Sequence, residues 1–368
     1  MRDGQLVGWG PTVRELDQLA TRFSRVRHVA CIYDEPAPES ALPYRAPNVE
    51  VVPVPPSGGD GVMGKLDALR TSPLYSRTIA RELRDADVVH VRAPANIAMI
   101  AMLLLARRQT PKHRWFKYAG NWQPQGPESA SYRLQRWWLA RGSHGGTVTV
   151  NGAWPGQPPW IKTFYNPSLS DEDLERGRRA AQSKRLDTPI RLLFVGNLVS
   201  TKGAGRAIEI LARVRARGVA ATLELAGDGP ERSTFEQQAR ELAVAEHVTF
   251  LGWMPPAQVH AAYERAHLLV LPSVSEGWPK VLSEGMAFGV VALASAVSSI
   301  PQYLARFETG AAFAPHAIDA FADAVVGYAA DPARWLAESR RAIAAAPHFS
   351  FRHYLASVDE LLTASGAS

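Results

Sequence analysis

The sequence predicts an α/β protein of two doubly wound domains, each a parallel sheet covered by helices on both faces. Three observations lead there. The chain has 368 residues, more than the roughly 250–300 at which a single core stops growing. Apolar runs of strand length alternate with segments of helical period, the pattern that right-handed crossovers between parallel strands produce. A polar, charged stretch, SDEDLERGRRAAQSKRLDTP, interrupts that pattern near the middle. The expected division is 1–166 for an N-terminal domain whose first strand is short or missing and 167–188 for a linker. Residues 189–347 form a C-terminal domain, and 348–368 a terminal helix returning to the first.

The C-terminal half carries the clearest rhythm. Strands are expected at 191–196 (RLLFVG), 222–226 (TLELA), 248–251 and 268–271, and helices at 205–217, 231–243, 256–266 and from near Pro279 onward. In the N-terminal half, 12–23 reads as a helix, with Thr12 and Glu15 as a capping box and Leu16, Leu19, Ala20 and Phe23 on one face. Strands follow at 28–33, 49–54, 88–91, 114–118 and 147–150, and helices at 72–84, 95–107 and 129–140. Ahead of Thr12, Gly8 interrupts QLVGW and makes it a poor strand. Gly8, Trp9 and Gly10 fit a loop there. Phe351, Tyr354, Leu355, Val358 and Leu361 recur at helical spacing. Asp171, Glu172 and Asp173 fit the first turn of a helix, where the dipole favours carboxylates, better than a metal site.

Composition excludes several classes. The single Cys31 allows no intrachain disulfide and fits a reducing compartment. The start, MRDGQLVGWG, lacks the features of a secretory signal, and the longest apolar run, 97–106, is too short to span a bilayer. A cytoplasmic protein is expected, with peripheral contact at the inner face of the plasma membrane as a further expectation. The net charge is +6, and residues 1–165 hold 21 of the 41 Lys and Arg but only 13 of the 35 Asp and Glu. That excess suits an anionic membrane or an acidic acceptor, and suits plain solubility equally well. The scattered basic residues come with no nucleic-acid motif, so no nucleic-acid partner is expected. Trp137 and Trp138, with Arg133, Arg136 and Arg141, read either as an interfacial patch or as aromatic core packing.

The chemistry concentrates after strand 268–271, in PSVSEGWPKVLSEGMAFG. Ligands of open α/β sheets bind beyond the carboxyl ends of the strands, which puts Glu276 in the binding loop and Glu284 inside the next helix. Pro279 suits the first helical position, so the free amides of that turn face an anion such as a diphosphate. Gly277 lets the backbone come close. Glu284 would accept hydroxyl hydrogen bonds roughly 7 Å along the axis, the offset of a ribose from its diphosphate. FVGNLVSTKG, at 194–203, brings Lys202 to the same sheet edge. A lysine at a helix N-terminus needs a compensating anion. Alone, each of these residues would be an ordinary surface charge; in order on one sheet edge they describe a site.

Residues 194–315 resemble the donor domain of retaining GT-B glycosyltransferases of the family 4 group (glycosyl transferases group 1). EGWPKVLSE matches that family's two glutamates, EGMAFGVVALASAVSSIPQYL its following helix and strand, and AGDGPERSTFEQQA its nucleotide-side loop. The resemblance implies two Rossmann-like doubly wound parallel-sheet domains facing a central cleft, and transfer of a hexose from a nucleotide diphosphate-sugar without a metal. By the same resemblance Glu276 contacts the donor sugar, Lys202 the diphosphate and Glu284 the ribose. Gly196, Asn197, Gly227, Gly252, Gly277, Trp278, Lys280 and Val281 complete the donor set, and His90 joins Glu276 and Lys202 as a catalytic candidate. No cofactor is implied beyond the donor substrate, with UDP-sugar favoured over GDP-sugar. The acceptor would be a glycan, a lipid-linked or a small molecule, as in cell-surface polysaccharide synthesis in bacteria.

Departures from the family pattern are specific. Asn197 stands where the family has Arg, with Lys280 or Arg92 as replacement cations; Ala296, Ser298 and Ser299 replace an Asp and paired Gly; Ala119 stands where a His is common. A non-catalytic nucleotide-sugar-binding partner and a sugar-nucleotide epimerase or hydrolase on the same fold therefore stay open. A nicotinamide dehydrogenase is disfavoured, since no G-x-G-x-x-G follows a strand.

Overall fold

A computed structural model describes residues 2, 4–58, 61–124, 126 and 128–364. The chain forms two compact units, Met1–Phe164 with Tyr354–Ser368, and Tyr165–His353. No helix among the described residues is long and apolar enough to cross a membrane.

In the first unit the elements run β1 (Val7–Trp9), α1 (Gly10–Leu19), β2 (Val26–Cys31), β3 (Ala41–Pro43), β4 (Val49–Val54), α2 (Gly61–Glu82) and β5 (Val88–Ala93). They continue with α3 (Asn96–Leu105), β6 (His113–Tyr118), α4 (Ala130–Ala140), β7 (Thr147–Val150) and β8 (Ile161–Thr163). β5 to β8 form one parallel sheet in chain order, and β2 pairs with β4 in a second. β1 joins neither, pairing antiparallel with β3. Gly8 and the start of α1 at Gly10 leave the first apolar run too short for more. The loop expected at Gly8 to Gly10 is thus strand and helix start.

Two faces of the β5–β8 sheet are filled differently. Val91, Phe116, Val148 and Ile161 pack under Tyr75 and Ile79 of α2, Met102 and Leu105 of α3 and Leu139 of α4. Trp115 meets Leu16 and Leu19 of α1, and Leu355 and Val358 of the terminal helix, on the other face. That face holds a correction. Glu15 makes no capping box; α1 begins two residues before Thr12, with no side-chain cap. Glu15 is buried, and its Oε1 accepts from Lys117 Nζ at 2.7 Å, Arg92 Nη1 at 2.7 Å and Tyr354 OH at 2.8 Å. Two strand cations supply what a capping carboxylate would have found in a backbone amide. Breaking such a buried pair from one side costs about 3–5 kcal/mol.

α2 also exceeds its expected span. Expected at 72–84, it begins at Gly61, eleven residues earlier, and runs through Pro73. Of the two tryptophans on α4, Trp138 packs edge-on against Phe116 at 5.7 Å, while Trp137 is half exposed under the Arg141 guanidinium, 4.2 Å from the ring centroid.

The second unit contains α5 (Asp171–Gln182), β9 (Ile190–Val195), α6 (Ala204–Ala216), β10 (Ala221–Ala226), α7 (Arg232–Glu241), β11 (Val248–Gly252), α8 (Pro256–Arg265) and β12 (Leu268–Leu271). After these come α9 (Lys280–Ala287), β13 (Val291–Ser295), α10 (Ile300–Arg306), β14 (Ala311–Phe313), α11 (Ile318–Ala330), α12 (Pro332–Ala345) and the start of α13 (Phe351–Ala364). Asp171–Gln182, in the stretch read as a linker, is a helix with a Ser170–Asp173 capping box.

All six strands are parallel, in the order β11-β10-β9-β12-β13-β14. Helices on both faces explain why RLLFV and LLVL are unbroken apolar runs. The four residues of β12 are fully buried, and each Leu or Val stabilises the fold by about 1.5–3 kcal/mol through burial. The chain moves outward from β9 through β10 to β11, then returns to lay β12 on the other side of β9. Strand order reverses between β9 and β12, and an open α/β sheet takes its ligand at that reversal.

Candidate functional site

The loops leaving β9 and β12 are bound to each other at the reversal. Val274 N donates to Thr201 O at 3.0 Å, and Arg206 of α6 donates from Nε to Pro272 O at 2.7 Å and from Nη2 to Ser200 O at 3.0 Å. Gly203, with φ +90°, caps α6 so close to the other loop that a Cβ there would lie 2.4 Å from Pro272 O. Only glycine accommodates both the left-handed backbone and that approach.

Across this seam Lys202 Nζ donates to Glu276 Oε1 at 2.7 Å. The lysine side chain is 38% exposed and the glutamate 10%. An ion pair this open contributes only about 0–1 kcal/mol to stability, so its arrangement matters more for what the two groups can hold. Glu284 lies in the second turn of α9, where Tyr263 OH, from fully buried Tyr263 of α8, donates to its Oε2 at 3.1 Å. Burial, and then the Glu284 charge, push the Tyr263 phenol well above its ordinary range, so it stays a donor. The bond sets the direction of the carboxylate. Pro279 stands one position earlier than expected, as the N-cap with ψ 119°, and Lys280 opens the helix with Val281 after it.

Trp278 holds this loop down. Its ring is buried, stacked on Phe349 at 4.9 Å and 5° and edge-on to Tyr303 at 4.8 Å. Its Nε1 donates to Ser283 Oγ at 3.4 Å, a weak bond. Gly277 precedes it, half-buried. The three glycines expected on the nucleotide side also gather. Gly196 N donates to Ala226 O at 3.0 Å and Gly227 N to Gly252 O at 2.8 Å, while a Cβ on Gly227 would fall 2.0 Å from Gly196 O. Asn197 is exposed beside Gly196.

The edge has unmet hydrogen-bonding capacity. The hydroxyl oxygens of Ser273, Ser295, Ser298 and Ser299 are buried with no partner among the described residues. All lie at or just beyond the carboxyl ends of β12 and β13, and an unmet buried polar group costs about 1–3 kcal/mol. Ser298 occupies φ +53°, the left-handed conformation for which glycine is the usual choice.

His90 lies in the first unit, in the middle of β5, with its ring stacked on Trp115 at 3.8 Å and 11°. Its Nε2 is buried without a partner among the described residues, and burial, then Arg92, hold its pKa well below the ordinary histidine range. Arg92, a candidate replacement for the missing arginine, is bound to Glu15. The first unit also has a cavity of about 270 Å³ at its strand ends, lined by Cys31, Tyr33, Ser57, Tyr75, Asn96 and Tyr132. A larger one, about 720 Å³, lies between α6 and α11 and shares no residue with the donor edge.

Sequence reasoning missed Tyr263 and Arg206. Nothing in the sequence shows that Tyr263, a core-spaced residue of α8, turns its hydroxyl to the next helix. Arg206 gave one signal, a cation in a helix's first turn, where the dipole disfavours it.

Residues 176–347 match the family model described as glycosyl transferases group 1. The second unit carries a group 1 glycosyl transferase domain. Glycogen synthase of Mycobacterium tuberculosis (strain CDC 1551 / Oshkosh) is 34% identical over 191 residues, 50% of this chain and 45% of the relative. The match thus spans about half the length of that curated relative. Among solved structures, sucrose-phosphate synthase from Thermosynechococcus elongatus superposes with a TM-score of 0.71 at 18% identity, covering 96% of this chain and 92% of that one. Anabaena HepE in complex with UDP gives 0.68 at 17% identity, covering 98% of each chain. At such identity these structures show the fold, which is GT-B: two units of Rossmann-like parallel sheet. Glu276, Lys202, Glu284 and the three glycines all lie in the group 1 domain.

Proposed function

We propose that the protein is a retaining, metal-independent glycosyltransferase that moves a hexose from a nucleoside diphosphate sugar, UDP in preference to GDP, to a glycan, lipid-linked or small-molecule acceptor. The observation that carries this reading is the seam at the strand reversal. It sets Lys202 against Glu276 and supports, on the next helix, a glutamate already oriented by Tyr263.

A diphosphate at this edge would meet the first-turn amides of α9 and the Lys202 ammonium, both suited to charge that grows as the leaving group departs. Lys202 would exchange its bond to Glu276 for the phosphate, releasing Glu276 to accept from sugar hydroxyls. Glu284, roughly 6 Å along the axis from Lys280, would accept from the ribose hydroxyls. The unpartnered serine hydroxyls offer further donors at the same edge. The acceptor hydroxyl would attack from the face the diphosphate leaves, giving its proton to the departing phosphate oxygen, so the protein positions and stabilises. Relatives such as HepE, solved with UDP, support the nucleotide. The single cysteine supports a cytoplasmic site, and polysaccharide synthesis is the role to which we assign it.

The test is product analysis by NMR after incubation with UDP- and GDP-hexoses, acceptor sugars and a chelator. A product with the donor's anomeric configuration, formed in chelator, is expected. Inverted product, or turnover that stops in chelator, would overturn the mechanism. Conversion of donor with no acceptor present would make the protein a hydrolase or epimerase.

A further inference from the structure

We infer that the outer surface of α2, α3 and α4 in the first unit is a docking surface for an anionic lipid bilayer. Eight of the thirteen exposed large hydrophobic side chains among the described residues lie on these three helices, including Met63, Leu66, Leu69 and Leu74 on α2 and Leu134 and Trp137 on α4. The helices bury their other faces against one side of the β5–β8 sheet, so their exposed faces point the same way.

On α2 the exposed positions 63, 66, 69, 70, 73, 74, 77 and 81 follow helical spacing on one side, apolar in the first turns and basic at Arg70, Arg77 and Arg81. Tyr75 and Ile79 occupy the buried side. On α4, Arg133 accompanies Leu134 and Trp137, and Arg141 follows the helix end. The acidic residues described on these helices, Asp67 and Glu82, are half-buried, and Glu82 is paired with both Arg27 and Arg81. Among the described residues of these helices, the exposed charged side chains are all basic.

That chemistry selects the occupant. Apolar side chains with arginines interleaved suit the headgroup boundary of an anionic leaflet, where the apolar groups enter the acyl edge and the cations meet phosphates. A second copy of this chain would bring the same positive charge and be repelled. Tyr132, exposed on the same helix as Trp137, also lines the 270 Å³ cavity at the strand ends.

The experiment is co-sedimentation of the full chain with phosphatidylcholine vesicles and with vesicles about one third phosphatidylglycerol, at low salt and at ~0.5 M salt, where screening shortens to about 4 Å. Partitioning to the anionic vesicles at least ~tenfold above the neutral ones, falling with salt, is expected. Leu66→Ser with Leu69→Ser, and separately Arg77→Glu with Arg133→Glu, should each lower it ~tenfold while Tm stays unchanged. Equal partitioning to both vesicles, none to either, or wild-type partitioning by both variants would overturn the inference. So would a dimer in sedimentation equilibrium that Leu66→Ser abolishes, since a second copy would then be the occupant. UDP binding, measured separately, reads the donor site and does not bear on this outcome.

Discussion

Lys202 and Glu276, seventy-four positions apart, meet at 2.7 Å across the seam between the two loops where the strand order reverses. The sequence shows a lysine beside a helix N-terminus and implies an anion to balance it. Glu276 is that anion in the free protein, so a donor diphosphate docking at this edge would compete with a carboxylate for the lysine.

Replacing either partner should slow transfer. Glu276→Ala is expected to lower kcat roughly five- to 150-fold, equivalent to about 1–3 kcal/mol, with a smaller change in KM. Lys202→Met should lower kcat/KM by a similar factor. Because the two groups touch, the double variant should lose less than the sum. Steady-state kinetics on the three variants checks this, and strict additivity would show that the pair does not act together.

Glu284 and its tyrosine should act on binding. Glu284→Ala is expected to weaken UDP binding by about 1–3 kcal/mol through the lost ribose hydrogen bonds. Tyr263→Phe, which removes only the orienting hydroxyl, should cost about 1 kcal/mol in UDP affinity. Calorimetric titration reads both. An unchanged dissociation constant in Glu284→Ala would remove the ribose from this position.

The glycine at the seam should be intolerant of substitution. Gly203→Ala forces a left-handed alanine with its Cβ 2.4 Å from Pro272 O, and a Tm drop equivalent to at least ~2 kcal/mol is expected. Gly218 has a similar φ of +81°, and a Cβ there would meet nothing within 4 Å. Gly218→Ala should therefore cost less, about 1 kcal/mol. Equal Tm losses would mean that backbone strain alone, not the loop contact, fixes Gly203.

Lys184 gives the second unit a pH signature. Its Nζ donates to Tyr263 O at 2.8 Å, Ala266 O at 3.0 Å and Phe288 O at 2.7 Å, tying together the C-terminal ends of α8 and α9. Burial lowers its pKa from 10.5 to about 7. Between those values the unfolded chain binds the proton and the folded one releases it, so this group's contribution to stability rises as pH rises from 7 toward 10.5. Below 7 its burial cost is complete. Burial likewise lowers His267 from 6.5 to about 4, so stability falls as pH drops through that window. Thermal melts across pH should show both slopes, and Lys184→Met should abolish the alkaline one. A melt profile for Lys184→Met parallel to wild type would contradict the assignment.

What could be read from the sequence follows from where the forces are local. The strands of the second unit were legible because burial on both faces makes them continuous apolar runs, and Glu276, Lys202 and Glu284 because sheet topology fixes which loop ends share an edge. Glu15 was misread because a Thr-x-x-Glu spacing looks the same whether the carboxylate caps its own helix or meets Arg92 and Lys117 on strands far along the chain. The extension of β5 from the expected 88–91 to Ala93 depends on the pairing of Arg92 and Ala93 with Lys117 and Tyr118, a tertiary contact. The hydroxyl of Tyr263 on Glu284 is likewise a tertiary contact with no local trace.

The central claim is that a nucleoside diphosphate docks at the β9–β12 reversal, held by Lys202 and Glu284. Isothermal titration of UDP into the wild type, Lys202→Met, Glu284→Ala and the double variant tests it most directly. Each single variant is predicted to bind about ten- to a hundredfold more weakly, and the double variant to show no measurable heat. Wild-type affinity in the double variant would contradict the account.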